Sequence, residues 1–177
     1  MAATPAQAKF WQCAVFARQA SGVEIYGNAW TWWSQAEGRY ERGETPVVGS
    51  VMSFQRTGKM PLGHVAMVSA VLSEREVLLT HANWSRPGGI EHDVRAIDVS
   101  PDGDWSQVKV WFAPVGGLGS SVYPVNGFIY PQAPNALELL ASGSARQVAV
   151  VAPKLGNLHR PVLEIDTASL LTADAGE

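Results

Sequence analysis

Gly63-His64-Val65-Ala66-Met67-Val68-Ser69-Ala70-Val71-Leu72, followed by Ser73-Glu74-Arg75 and Val77-Leu78-Leu79-Thr80-His81, is the stretch on which the fold turns. After its histidine the first run is apolar almost throughout, so 64–72 reads as a strand buried on both faces. Ser73-Glu74-Arg75 is a tight connection, and 77–81 is the returning strand. Working outward, 48–55 reads as a strand with Thr57-Gly58 in the turn after it. Pro87-Gly88-Gly89 is a turn, and 94–99 and 108–112 are further strands separated by the Pro101-Asp102-Gly103 turn.

The N-terminal part has a different period. Residues 4–21 read as helical, with Thr4, Pro5 and Gln7 resembling a capping box with proline at the first helical position, and Gly22 as the stop. A helix from Thr4 puts Cys13 in mid-helix. A break near Trp11-Gln12 puts it in the first turn, where free N–H groups and the positive dipole end favour a thiolate. Asn28 caps a second helix to about Glu37, stopped by Gly38. Trp30, Trp33 and Glu37 fall at helical spacing, with Ala29 and Trp32 broadening the stripe. Helices first and short strands after predict an α+β fold with an antiparallel sheet. From 131 onward Ala, Ser, Pro and Leu dominate, with a short apolar stretch at 148–152. The expected organisation is a folded unit over 1–130 and a partly irregular tail over 131–177.

The chain has 177 residues, enough for one domain with a core. It is 46% hydrophobic and 16% charged, with a net charge of −3, which describes a globular protein with a modestly charged surface. No Lys/Arg run of the nucleic-acid type appears, so a DNA or RNA partner is not expected. No apolar run approaches the roughly 18–20 residues of a membrane span. Met1-Ala2-Ala3-Thr4-Pro5 shows no basic region followed by an apolar stretch, so no signal peptide is read here. The seven tryptophans are many for this length, and core packing is expected for at least half of them.

The chemistry rests on the single cysteine, Cys13. A thiol attacks an amide only as thiolate, so it needs a base within hydrogen-bond reach and a third group to hold that base. His64 opens one strand, and His81 and Asn83 end the next. In an antiparallel hairpin these positions share one edge of the sheet, and His81 and Asn83 share a face if the strand stays regular. A bland reading stands beside each: an inert buried thiol, a satisfied core histidine, a turn-forming asparagine. His64, His81, His92 and His159 lack short paired ligand spacing and there is no second cysteine, so neither a metal nor another cofactor is expected. Gly116-Gly117-Leu118-Gly119 is weak as a phosphate loop, because no Lys-Ser/Thr follows it.

Together these residues resemble the CHAP domain, the cysteine/histidine-dependent amidohydrolase/peptidase family. The matching stretches are Gln12-Cys13-Ala14-Val15-Phe16-Ala17, Gly27-Asn28-Ala29 with Trp32-Trp33, Pro46-Val47-Val48-Gly49-Ser50-Val51, Gly63-His64-Val65-Ala66-Met67-Val68 and Ala82-Asn83-Trp84, across roughly residues 10–115. The resemblance implies a papain-like α+β fold related to the NlpC/P60 peptidases, with N-terminal helices packed on a small antiparallel sheet and a helix starting near Gln12. It implies cleavage of amide bonds in bacterial peptidoglycan or its peptide fragments. The missing leader fits either a cytosolic protein or a mature chain, and a monomer that is periplasmic or secreted in a bacterium is the expectation. Cys13 maps to the nucleophile and His64 to the base. The family commonly has an acid two residues before the Asn-Trp pair, where this chain has His81. The orienting group is then His81, Asn83 or both. Gln12 is expected to support the oxyanion, and Tyr26, Trp30 and Trp84 to line the groove. The competing readings are a silent cell-wall-binding module, a secreted effector with the same chemistry, and a Cys/His metal protein.

Overall fold

The structure is a computed structural model that describes residues 10–131. Residues 1–9, which hold the expected capping box, and the tail from 132 onward lie outside the described residues.

The apolar hairpin forms as the sequence implies, but burial on both faces holds only at the His64 end, and Val71 and Leu72 are exposed. Strand β3 (His64–Ser73) runs antiparallel to β4 (Glu76–Ala82), with Met67 opposite Thr80 and Val71 opposite Val77. On the other side of β3, β2 (Val51–Phe54) pairs Phe54 with His64. Strand β5 (Ile90–Asp98) continues from β4, and β6 (Gln107–Phe112) from β5. Strand β8 (Tyr123–Ile129) then pairs twice. It sets Phe128 against Met52 of β2, and Tyr123 against Val108 of β6. The ring β8-β2-β3-β4-β5-β6 is a closed antiparallel barrel of six strands. Two-residue strands lie outside it: β1 (Arg42–Gly43) on β8 and β7 (Gly117–Leu118) on β6.

This overturns the expected papain-like α+β architecture, with N-terminal helices packed on a small antiparallel sheet. The described chain is mostly β, and its helices are short: α1 (Cys13–Ser21) has nine residues and α2 (Trp32–Ala36) five, after a 3-10 turn at Ala29–Thr31. The physical reason is β8. Its pairing with both β2 and β6 satisfies the backbone groups that would otherwise form the two edges of an open sheet.

Side-chain alternation sorts the strands into two apolar sets. Met52 and Phe54, Ala66 and Val68, Val77 and Leu79, with Val108, Val125 and Phe128, pack together inside the barrel. The opposite faces of β2, β3 and β8 carry Val51, Val65 and Ile129, and these pack with Ala17 of α1 and with Ala29, Trp32 and Ala36. The buried stripe of the second helical segment is therefore Ala29–Trp32–Ala36, while Trp30 faces outward, 41% exposed. Of the tryptophans, Trp32 and Trp105 are buried, and Trp33 and Trp84 are partly buried and pack against the two apolar sets, in line with the core-packing expectation. On β3, His64 shares its face with Ala66 and Val68; on β4, His81 shares its face with Val77 and Leu79. Both histidines thus belong to the inner face of the barrel, at one end of it.

The closing strand bends where it meets β2. The register shifts between Ser53 and Phe54, which oppose Gly127 and Val125, and Gly127 has φ +134°. A Cβ there would stand 2.5 Å from the Gly43 carbonyl oxygen and 2.9 Å from the Trp33 ring. Gly127→Ala combines backbone strain with a clash and should destabilise the fold by about 2–4 kcal/mol. Urea denaturation of the two proteins side by side checks this; an unchanged midpoint would mean that the strand closes without its bulge.

Candidate active site

Helix α1 begins at Cys13, with Gln12 extended at φ −82° and ψ 143° and offering no side-chain cap. The chain before it is tied down: the Trp11 N–H donates to the Gly88 carbonyl at 3.2 Å, in the turn between β4 and β5. At the other end Gly22 adopts φ +74° and its N–H donates to the Arg18 carbonyl, so the expected stop holds. Cys13 is half-buried, and burial pushes its thiol above the ordinary value of 9.0. The backbone N–H groups of Val65, Ala14 and Cys13 itself pull in the opposite direction.

Gly63 places His64 next to this helix. It has φ +68°, and a Cβ there would meet the Trp30 backbone at 2.8 Å, so only glycine permits the close approach. His64 is buried, and its Nε2 lies 3.0 Å from Nδ1 of the fully buried His81. With Nε2 so engaged, Nδ1 is the nitrogen left for a thiol. Trp84 covers the pair, its ring centre 4.8 Å from His64 and 5.5 Å from His81. The indole is itself held by Nε1–H donating to the Trp111 carbonyl at 3.0 Å, and by Phe54 and Tyr123 rings at 5.7 and 4.9 Å. Burial, reinforced by the neighbouring His81, holds His64 well below the ordinary histidine value of 6.5. Burial brings His81 down to about 4, against an upward pull from Glu91.

Asn83 takes another position. Strand β4 ends at Ala82, and Asn83 has φ +61°, so it does not share a face with His81. Its Oδ1 accepts the Gly88 N–H at 2.9 Å and its own N–H donates to Gly89. Among the described residues it makes no hydrogen bond to either imidazole. It shapes the turn whose Gly88 carbonyl anchors Trp11, two residues before the thiol.

Cys13, His64 and Asn83 open on one cavity of about 760 Å³. Gln12, Tyr26 and Trp84 line it; Trp30 does not, and lies under the Arg56 guanidinium at 4.9 Å instead. The wall also includes Arg18, whose guanidinium sits 4.2 Å above the Tyr26 ring, Lys59 and Tyr123, and no Asp or Glu. Among the described residues no group of three or more His, Cys, Asp or Glu side chains is arranged to hold a metal ion. Two residues near the site escape a reading of the sequence. Tyr123 belongs to the strand that the sequence conceals. Glu91 is the direct β5 partner of His81, a relation visible only once the register across Pro87-Gly88-Gly89 is known.

The histidine shifts carry a definite sign for stability. Above pH 6.5 the pair is neutral whether the chain is folded or not. Below it the unfolded chain takes up protons that the buried rings refuse, so stability is lost as pH falls from about 6.5 towards 4, where His81 titrates within the fold. Each histidine contributes at most about 1.4 kcal/mol per pH unit across that window. Urea midpoints of the parent and His81→Gln, taken from pH 7.5 to 4, should converge or cross as pH falls. A difference independent of pH would show that His81 is not held neutral.

The comparisons with known proteins bear on the family and not on this geometry. No curated protein matches the chain. Residues 4–83, a span that holds Cys13, His64, His81 and Asn83 but neither Glu91 nor Tyr123, are matched by the model of the CHAP domain, the same family that the sequence motifs resemble.

Proposed function

We propose that this chain hydrolyses amide bonds of bacterial peptidoglycan, with Cys13 as nucleophile, His64 as base and His81 as the group that orients His64. The CHAP match points to a peptidoglycan-hydrolase-related function. The observation that supports the finer reading is that the thiol at the head of α1 and the imidazole opening β3 line one cavity, while the far nitrogen of that imidazole is engaged by His81.

In this mechanism His64 Nδ1 takes the proton from the Cys13 sulfur as the sulfur attacks the amide carbonyl carbon. The oxyanion is received by the Cys13 backbone N–H and the Gln12 side chain, at the unpaired end of α1. The tetrahedral intermediate collapses with cleavage of the C–N bond, and His64 passes its proton to the departing amine. Water then attacks the thioester with His64 again as base, the C–S bond breaks, and the thiol is restored. The resting pair is neutral: burial raises the thiol and lowers the imidazole, so the proton moves only as substrate arrives. Peptidoglycan lies outside the cytoplasm, so the site of action is the periplasm or the exterior of a bacterium. The same two shifts favour the second reading, a silent wall-binding module.

Digestion of purified peptidoglycan, with the fragments weighed by mass spectrometry, separates the two. The parent should release fragments with new amine and carboxylate ends. Cys13→Ala should release none while keeping its circular-dichroism spectrum, and persistent turnover in that variant would end the cysteine-hydrolase reading. His64→Ala should slow hydrolysis by about 100-fold or more. Hydrolysis at the parent rate in that variant would remove His64 from the role of base.

A further inference from the structure

The neutral histidine pair leaves a question of tautomers that the Cys13–His64–His81 set does not answer. One ring must donate across the 3.0 Å contact between His64 Nε2 and His81 Nδ1. If His81 Nδ1 carries the proton, His64 Nε2 must accept it, and a neutral His64 then bears its own proton on Nδ1, where it cannot serve the thiol as base. If His81 carries its proton on Nε2, its Nδ1 accepts from His64 Nε2–H, and His64 Nδ1 is free to take a proton. The productive arrangement requires the second state.

The far side of His81 holds what decides this. Its Nε2 is buried and has no hydrogen-bond partner among the described residues, and Glu91 Oε2 stands 3.7 Å away. That distance is beyond a good hydrogen bond, but it is short for a charge in a buried setting. Glu91 is not there by side-chain chance. It is the direct cross-strand partner of His81 in the β4–β5 ladder, and its Oε2 is fixed by the Ser85 N–H at 2.9 Å. A carboxylate facing Nε2 is attracted to an N–H there and repelled by a lone pair.

We propose that Glu91 is a positioning residue: its carboxylate keeps the proton of His81 on Nε2, and through His81 it keeps His64 Nδ1 open to the thiol. This rests on the reading of Cys13 and His64 given above. It also supplies, one residue further out, the negative charge that His81 lacks where the family commonly has an acid. As His64 becomes an imidazolium, the carboxylate faces the developing charge along the line of the two rings.

The test uses the full chain with ¹⁵N-labelled histidine. Ring ¹⁵N–¹H correlation spectra at pH 7.5 should show His81 protonated at Nε2 in the parent. Glu91→Ala should bring up the Nδ1–H form and lower kcat by about tenfold or more with KM within twofold of the parent. In a His81→Ala background the same change should cost nothing further. An unchanged His81 tautomer in Glu91→Ala overturns the proposal, as does an equal loss of kcat with and without His81. Glu91→Gln keeps an acceptor for the Ser85 N–H and serves if Glu91→Ala fails to fold. It should lower kcat at least threefold, and full activity in the folded Gln variant also overturns the proposal. The tautomer is read on the folded protein whether or not it cleaves anything. A parent that releases no fragments therefore defeats the proposed function, while the spectra still decide the role of Glu91.

Discussion

The pairing of β8 with both β2 and β6 is the constraint on which the rest depends. It turns a row of antiparallel strands into a ring and leaves no six-strand edge to water. The inner faces of β3 and β4 then point into a space from which water is excluded, and the two histidines at its end are buried as a consequence. Their neutrality is a property of the closed barrel before it is a property of the site. The same strand sends Tyr123 to the Trp84 ring, so the element that closes the barrel also builds the wall of the cavity.

A half-buried thiol and a buried imidazole on one cavity differ from a resting ion pair. Separating charge between them costs desolvation on both sides, and the backbone N–H groups around the sulfur offset only part of it. Such a pair is quiet toward passing electrophiles. On the proposed mechanism it would gain reactivity when a bound amide supplies a carbonyl that can take the negative charge onto an oxygen met by donors. The rigid indole over both rings holds them in place meanwhile, because its own N–H is committed to Trp111.

What could be read from the chain follows from how local each signal is. The β3–β4 hairpin is written in one continuous apolar run with a short polar break, and it folds where it reads. Gly22 stops α1 for a reason contained in its own φ. The position of Cys13 at the head of that helix was not legible locally, since Thr4-Pro5 offered an earlier start; the resemblance settled it. Strand β8 hid because Pro124, Asn126 and Gly127 interrupt its alternation, and its partners lie about seventy residues away in β2. Without it the strands read as an open sheet with helices against it, where the chain closes a barrel. Glu91 hid for a related reason. The first half of β5 is largely exposed and carries no apolar alternation, and Asp93 at φ +52° breaks its regularity. By sequence Asn83 is a candidate for orienting His64, whereas its backbone conformation commits the side chain to the turn.

The composition of the cavity wall has a consequence at longer range. The chain as a whole carries a net charge of −3, yet the residues around this opening include Arg18 and Lys59 and no acid. A low-dielectric hollow with cations at its wall concentrates field lines at its mouth. Within about one Debye length of the mouth, the wall itself therefore presents cations and no carboxylate. That field reaches about 8 Å at physiological ionic strength and is weakened by salt, whereas the buried contact of His64 with His81 beneath Trp84 is screened far less.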